Sequence, residues 1–144
     1  MSLTSVRRVR ADAVAELATA SWSNALLIDN EVVMSGMTGH PATRQATERG
    51  EPLDAYTQTL VVLNKCKALV EAAGGGIHNI YRLTLYLTRI ADKDEVGRAR
   101  RDFFAGQTTL PTSTLVEVSG LVFPELCVEI EASARLDVDL RATA

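Results

Sequence analysis

The feature that most constrains the fold is a long amphipathic pattern that ends at three consecutive glycines. Over residues 53–73 apolar side chains recur at helical spacing, which predicts a helix of about 20 residues. The glycines at 74–76 end this helix, because glycine readily adopts the left-handed conformation found at helix ends. Directly afterwards, residues 80–88 alternate between apolar and polar, which is typical of a half-buried strand. The sequence therefore predicts an α+β fold.

Similar patterns predict the remaining elements. A hairpin is predicted over residues 24–37, with its turn at Asp29 and Asn30, since both residue types tolerate tight-turn dihedrals. A second helix is predicted to begin at Asp92, where Asp92 and Glu95 form a variant of the helix-start capping pattern. Two further strands are predicted over residues 112–118 and 127–136. Residues 38–51 have no apolar period, and we expect a mobile surface loop there.

These elements give the order β-β-α-β-α-β-β, and residues 1–16 form either a frayed start or an extra N-terminal strand. Two helices can cover only one face of such a mixed sheet. On the strand over residues 80–88, the side chains predicted to share one side are Tyr81, Leu83, Leu85 and Leu87. The other face is mixed and includes Glu129 and Glu131. From the pattern alone, this second face is either solvated or packed against another subunit.

Composition and charge narrow the class of protein. The chain has 144 residues, of which 47% are hydrophobic, and we expect a single domain over residues 1–144. A formal charge of -3 and a pI near 5.4 argue against nucleic acid as a partner. No apolar run reaches the roughly 20 residues of a membrane span, so we expect a soluble, cytoplasmic protein without a membrane partner. Cys66 and Cys127 lack metal-type spacing, and we expect neither a metal site nor a cofactor.

Several short segments occur in an order that resembles one family. They lie at residues 22–25, 33–36, 69–74, 84–88, 103–104, 111–118 and 128–132. Each segment alone is weak, but the ordered set is specific and covers the chain from about residue 17 to about residue 135. In these segments the chain resembles the Rid/YjgF family of reactive-intermediate (imine) deaminases, also called endoribonuclease L-PSP-like proteins.

This resemblance implies a fold, an assembly and a chemistry. The implied fold is chorismate-mutase-like, and three subunits pack their sheets into a central barrel-like core, with small-molecule clefts between the subunits. The implied reaction is hydrolysis of reactive enamines and imines, such as 2-aminoacrylate, to keto acids and ammonia. In such a cleft an arginine binds the substrate carboxylate through two parallel hydrogen bonds and orients the imine carbon toward a water.

The chain departs from the family pattern at the substrate anchor. The family motif Pro-Ala-Arg-Ser appears at residues 111–114 as Pro-Thr-Ser-Thr, so Ser113 stands where the arginine is expected. A hydroxyl group cannot replace a charged guanidinium. Trp22 stands at a position usually held by tyrosine, and Gly97 at one usually held by asparagine. The resemblance is therefore to a divergent member that lacks the usual cleft arginine.

Other residues of the family's cleft are retained. Glu129 is the predicted catalytic residue, as a water-positioning group or general base. The predicted substrate-binding residues are Trp22, Ser35, Gly36, Gly97, Ser113, Thr114 and Leu115. Structural alternatives stay open, because Ser35 and Gly36 could simply end a strand and Glu129 could pair with Arg82 across strands.

An arginine could still enter the cleft from elsewhere, although exposed arginines usually face solvent. The candidates are Arg44, Arg49, Arg89, Arg98 and Arg101. Two functions therefore stay open. The first is a hydrolase acting on a small imine, enamine or carbonyl metabolite with a non-standard anchor. The second is a non-catalytic homotrimer that binds a small metabolite as a sensor or partner-binding module.

Overall fold

The computed structural model describes residues 1–143, which form a six-stranded mixed sheet and three α-helices. The strands are β1 (Val6–Val9), β2 (Ala25–Ile28), β3 (Glu31–Met34), β4 (Ile80–Leu87), β5 (Thr112–Glu117) and β6 (Val128–Arg135). The helices are α1 (Ala42–Glu48), α2 (Ala55–Ala72) and α3 (Lys93–Phe103). The strand order is β1-β2-β3-β6-β4-β5, in which only β4 and β5 pair in parallel. The predicted α+β class is confirmed.

The long helix α2 begins and ends as its sequence predicts. The carboxylate of Asp54 accepts a hydrogen bond of 2.8 Å from the backbone N–H of Thr57, which caps the first turn. At the other end Gly74 has a φ of 105°, a conformation that favours glycine. The core side of α2 contains Val62, Leu63, Cys66, Leu69 and Val70. This side packs on the sheet and fixes the position of the rest of the helix.

The predicted capping pattern of α3 is wrong. Asp92 makes no side-chain hydrogen bond to the first turn of α3. Its carboxylate instead accepts a hydrogen bond of 3.1 Å from Arg89, and Glu95 accepts one of 2.6 Å from Arg98. The two carboxylates thus accept hydrogen bonds from nearby guanidinium groups rather than from backbone N–H groups.

Residues 38–51 and the N-terminal segment both contain regular secondary structure. The mobile loop predicted over residues 38–51 is wrong, since α1 lies within it and buries Thr43 and Ala46. At the N-terminus β1 pairs with β2, so the extra strand is the alternative that the structure contains. With seven residues, α1 is too short to show a clear helical period, which explains why the sequence did not indicate this helix.

The alternation predicted for β4 is wrong at Tyr81. A register shift lies between Ile80 and Arg82, so Ile80 faces the core together with Leu83. Tyr81 is only partly buried, and its hydroxyl donates a hydrogen bond to Glu31. The extra residue of such a bulge changes the side to which the following side chains point.

The sheet has one covered face and one uncovered face. Buried side chains of β3, β4 and β6 lie under α2, in a core that includes Val32, Leu85 and Ile130. On the other face of a single chain, Val33 is 43% exposed and Val116 is 40% exposed. Among residues 1–143, no helix is long and apolar enough to cross a membrane.

Candidate functional site

A cavity of about 710 Å³ brings four of the predicted site residues together. It lies between the segment that precedes β2, the end of β3, the helix α2 and the loop that precedes β6. The four residues are Trp22, Ser35, Gly36 and Glu129. A cavity of this size and mixed lining has the properties of a small-molecule site.

Glu129 reaches the cavity from β6 and lies against the backbone of Gly36. A Cβ atom placed on residue 36 would lie 2.5 Å from Oε2 of Glu129, closer than such atoms approach in proteins. A side chain at position 36 would therefore displace this carboxylate from its present position. Across the ladder Glu129 faces Tyr86, while Arg82 faces Ser133, so the alternative of a Glu129–Arg82 pair is wrong.

The surroundings of Glu129 favour its protonated form. Partial burial raises the pKa of the Glu129 carboxyl, and the neighbouring carboxylate of Glu131 raises it further. Glu131 itself accepts a hydrogen bond from the hydroxyl of Tyr86. Within residues 1–143, Glu129 takes part in no hydrogen bond or ion pair, so its carboxyl is available to a ligand. A carboxyl with these properties can accept and return a proton.

Ser35 holds the wall of the cavity in place. Its hydroxyl donates a hydrogen bond of 2.6 Å to the carbonyl of Ser23, and its backbone N–H donates one of 2.8 Å to the carbonyl of Asn24. These bonds join the end of β3 to the residues that follow Trp22. The structure therefore gives Ser35 a positioning role for the segment that presents the tryptophan.

The aromatic rings of His40 and Phe123 form another wall of the cavity. Phe123 lies 4.4 Å from the ring of His40 and beneath the guanidinium of Arg44, which is 4.6 Å from the ring centre. Nε of Arg44 also donates a hydrogen bond of 2.6 Å to Oε1 of Glu125. These contacts hold the loop before β6 against α1. Trp22, 54% exposed, provides a second aromatic surface on the same cavity.

The sequence did not indicate Lys65, His40 or Phe123 as cavity residues. Lys65 lies on α2, and its ammonium donates hydrogen bonds of 2.7 Å to the carbonyls of Thr38 and His40. A lysine on an amphipathic helix is normally interpreted as a solvated residue, so no local signal identifies this one. Of these three residues, only Phe123 had a local signal for a role in the cavity, because it is an aromatic residue in a loop between two strands.

The remaining predicted site residues lie elsewhere in the single chain. Gly97 lines a smaller cavity of about 170 Å³ together with residues of α3. Ser113, Thr114 and Leu115 lie on the edge strand β5, opposite Leu83, Thr84 and Leu85 of β4. Their assignment to the same cleft stays a prediction, because it requires the surface of a second subunit.

None of the five candidate arginines lines the large cavity. Arg44 is bound to Glu125, Arg89 to Asp92 and Arg98 to Glu95. Arg101 lines the smaller cavity beside Gly97, and Arg49 is exposed just beyond α1. Within one subunit, none of these five guanidinium groups therefore reaches the large cavity.

A family model and a curated relative both place this chain in the same group of proteins. A family model described as Endoribonuclease L-PSP matches residues 13–136. The 2-iminobutanoate/2-iminopropanoate deaminase of Capra hircus is 31% identical over 130 residues, which are 90% of this chain and 90% of that protein.

Solved structures agree with the fold. The crystal structure of PA3499, a protein of unknown function from Pseudomonas aeruginosa, is 68% identical and has a TM-score of 0.97, covering 99% of this chain and 100% of that one. The crystal structure of TdcF from Escherichia coli with bound serine is 28% identical, with a TM-score of 0.75, and covers 90% of this chain and 98% of that one. Since the family model spans most of the sequence and these structures share its fold, the chain belongs to the Endoribonuclease L-PSP family, also known as the Rid/YjgF family.

Proposed function

We propose that this chain forms a cytoplasmic homotrimer that hydrolyses a small imine or enamine metabolite, with Glu129 as the residue that activates water. The observation that carries this proposal is the position of Glu129, whose carboxyl lies in the cavity without a partner among residues 1–143 and with a raised pKa. The name of the goat relative, an imine deaminase, supports the same class of substrate.

In the proposed reaction, the carboxylate of Glu129 both accepts and donates protons. Water adds to the imine carbon, and its proton passes to the carboxylate of Glu129. The carboxyl returns this proton to the imine nitrogen, which gives the neutral carbinolamine. Glu129 then takes the proton of the carbinolamine hydroxyl and donates it to the nitrogen as the C–N bond breaks, so a carbonyl compound and ammonia form. An enamine first gains a proton at carbon to give the imine. The balance is imine plus water to carbonyl compound plus ammonia, and no oxidant or reductant is required.

The uncovered sheet face supports the trimer. This face exposes Val33 and Val116 in a single chain, and an antiparallel sheet face with apolar side chains is suited to an interface. On the edge strand β5, Thr114 is opposite Thr84 on this face, whereas Ser113 and Leu115 are opposite Leu83 and Leu85 on the side of the helices. In a trimer these residues would approach the cavity of a neighbouring subunit, where the family places its substrate anchor.

The activity can be tested with enamines generated in situ from serine or threonine by a dehydratase. We expect the protein to accelerate their decay to keto acid and ammonia, and Glu129→Gln to remove the acceleration. Glu71→Gln, at an exposed position on α2, is the matched control and should behave as wild type. Equal decay with wild type, Glu129→Gln and buffer would contradict the proposal.

A second candidate is a non-catalytic trimer that binds a small metabolite in the same cavity. Its support is Ser113 at the position where the family pattern has arginine. This candidate predicts that neutral or aromatic ligands raise the thermal stability of the protein without any turnover, because a ligand that binds the native state stabilises it. Stabilisation together with ammonia release would exclude it.

A further inference from the structure

Lys65 places a positive charge inside the candidate cavity. Its side chain extends from α2, and Nζ donates hydrogen bonds of 2.7 Å to the backbone carbonyls of Thr38 and His40. A lysine ammonium carries three N–H donors, so these two bonds leave one free. Both acceptors are neutral carbonyls, which orient the ammonium without neutralising its charge.

No carboxylate compensates this charge. Within residues 1–143, no ion pair includes Lys65. Of the two carboxylates that line the cavity, Glu16 is held by Arg8 at 3.2 Å and by Arg10 at 3.1 Å. Glu129, the other carboxylate, makes no ion pair with Lys65 among residues 1–143.

The uncompensated charge has an energetic cost. Lys65 is partly buried, and this desolvation lowers the pKa of its ammonium. Removing a charge from water without an opposite charge is unfavourable, whereas a bound anion would offset that cost. Lys65 is also the one lysine or arginine among the described residues that line this cavity.

The rest of the lining is suited to an apolar group. Around Lys65 and Glu129 the wall consists largely of carbon, from Leu17, Trp22, Met37, Val122 and Phe123. The volume of about 710 Å³ leaves room for a ligand with a branched or aromatic body. A ligand with one anionic end and one apolar end matches both parts of this surface.

We infer that Lys65 is the anion anchor of the cavity, and that it binds the carboxylate of a 2-oxo or 2-imino acid whose apolar side chain packs against Trp22 and Phe123. Lys65 thereby takes, from within the same chain, the role that a cleft arginine has in relatives. The identity of the ligand as substrate or product rests on the proposed function, whereas the binding of the carboxylate does not.

The test compares a carboxylate with its neutral amide. The probes are 4-methyl-2-oxopentanoate and 4-methyl-2-oxopentanamide, and the affinity of each is measured by calorimetry. We expect wild type to bind the carboxylate at least tenfold more tightly than the amide. Lys65→Gln keeps an N–H donor group for the carbonyls of Thr38 and His40 but has no charge, and it should lose this preference. Lys67→Gln, an exposed lysine two residues away on α2, should retain it.

The preference for the carboxylate separates anion binding from a purely structural role. If Lys65 only tied α2 to residues 38–40, Lys65→Gln would weaken both probes equally or neither, and that result would overturn the inference. Lys65→Arg, which retains the charge, should keep the preference even if it binds both probes more weakly. Pyruvate should bind at least tenfold more weakly than 4-methyl-2-oxopentanoate, and equal affinity would contradict the apolar part of the inference.

Failure of this inference and failure of the proposed function are distinguishable. A protein without imine hydrolysis that still shows the Lys65-dependent preference for carboxylate would exclude the enzyme and support the anchor. A protein that hydrolyses imines, with the same KM for wild type and Lys65→Gln, would exclude the anchor and support the enzyme.

Discussion

Oε2 of Glu129 occupies the space that a side chain on Gly36 would need, with only 2.5 Å between this oxygen and the position of a Cβ atom. The glycine that follows β3 therefore leaves the space that the carboxylate on β6 occupies. If Glu129 performs chemistry, its position depends on the absence of a side chain at residue 36.

Gly36→Ala tests this dependence. The added methyl group should displace the Glu129 carboxylate, and a misplacement of about 1 Å can reduce the rate of a reaction about 100-fold. We expect a comparable loss of kcat for imine hydrolysis, with an unchanged circular dichroism spectrum. Gly120→Ala is the matched control, because a Cβ there meets no atom within 4 Å. Full activity of Gly36→Ala would show that the position of Glu129 is not critical.

The rate should depend on pH through Glu129. Burial and the charge of Glu131 both raise the pKa of this carboxyl, so the ionised form that accepts a proton is lost at a higher pH than for an ordinary glutamate. Glu131→Gln removes one of the two causes and should shift the acidic limb of kcat/KM to lower pH. An unchanged limb would assign it to another group. Glu117→Gln, at an exposed position on β5, serves as the control.

The same pKa shift predicts a change in stability with pH. Because the folded state raises the pKa, the folded protein binds the Glu129 proton more tightly than the unfolded chain does. The contribution of this group to stability is therefore present below the unfolded pKa and lost as the pH rises through the folded pKa. Glu129→Gln should be more stable than wild type at neutral pH and equal to it in acid, measured by urea unfolding. A variant less stable at neutral pH would contradict the sign of the shift.

The uncovered sheet face gives a prediction for the assembly. If three subunits pack through this face, Val33→Asp and Val116→Asp should place charges in the interface and dissociate the trimer. Sedimentation should then show a monomer for each variant and a trimer for wild type. Lys67→Asp, on an exposed position of α2, should remain a trimer. A wild-type protein that sediments as a folded monomer would remove the basis for clefts between subunits.

Gln58 is a buried polar residue whose replacement should cost stability. Only 2% exposed, it donates hydrogen bonds of 3.0 Å to the carbonyls of Leu53 and Glu125 and accepts one of 3.0 Å from the N–H of Cys127. Gln58→Leu leaves these backbone groups without a partner, which should cost about 3 kcal/mol in the free energy of unfolding. Gln45→Leu, at an exposed position on α1, should cost little. Urea unfolding measures both, and equal stability would contradict the importance of these bonds.

Much of the fold could be predicted because its elements have long or clean patterns. The helix α2 with its glycine stop, the hairpin of β2 and β3, and the strands β5 and β6 follow from local periodicity and turn chemistry. Tyr81, which was assigned to the wrong side of β4, shows that local periodicity does not predict a bulge. A bulge in β4 is decided by pairing with β6, and no local sequence signal indicates it.

For the candidate site as well, some residues could be predicted from the sequence and others could not. The resemblance to the family led to Trp22, Ser35, Gly36 and Glu129, which share one cavity in the structure. It could not indicate Lys65, because the two carbonyls that hold its ammonium lie more than 20 residues away in the chain. The aromatic contact between His40 and Phe123 likewise joins two loops that are distant in sequence.

The sequence by itself determined the helices α2 and α3 and the strands β2 to β6, because backbone propensity and the periodic burial of side chains act over a few neighbouring residues. It also specified the carboxylate of Glu129 and the glycine that leaves room for it. The tertiary structure alone decided that the segment before α1 and the loop before β6 line a cavity together with this carboxylate. It also decided that Lys65 lines the same cavity without an ion-pair partner in the part of the chain that the structure describes. Those relationships depend on contacts between distant parts of the chain, which only the packing of the whole domain brings together.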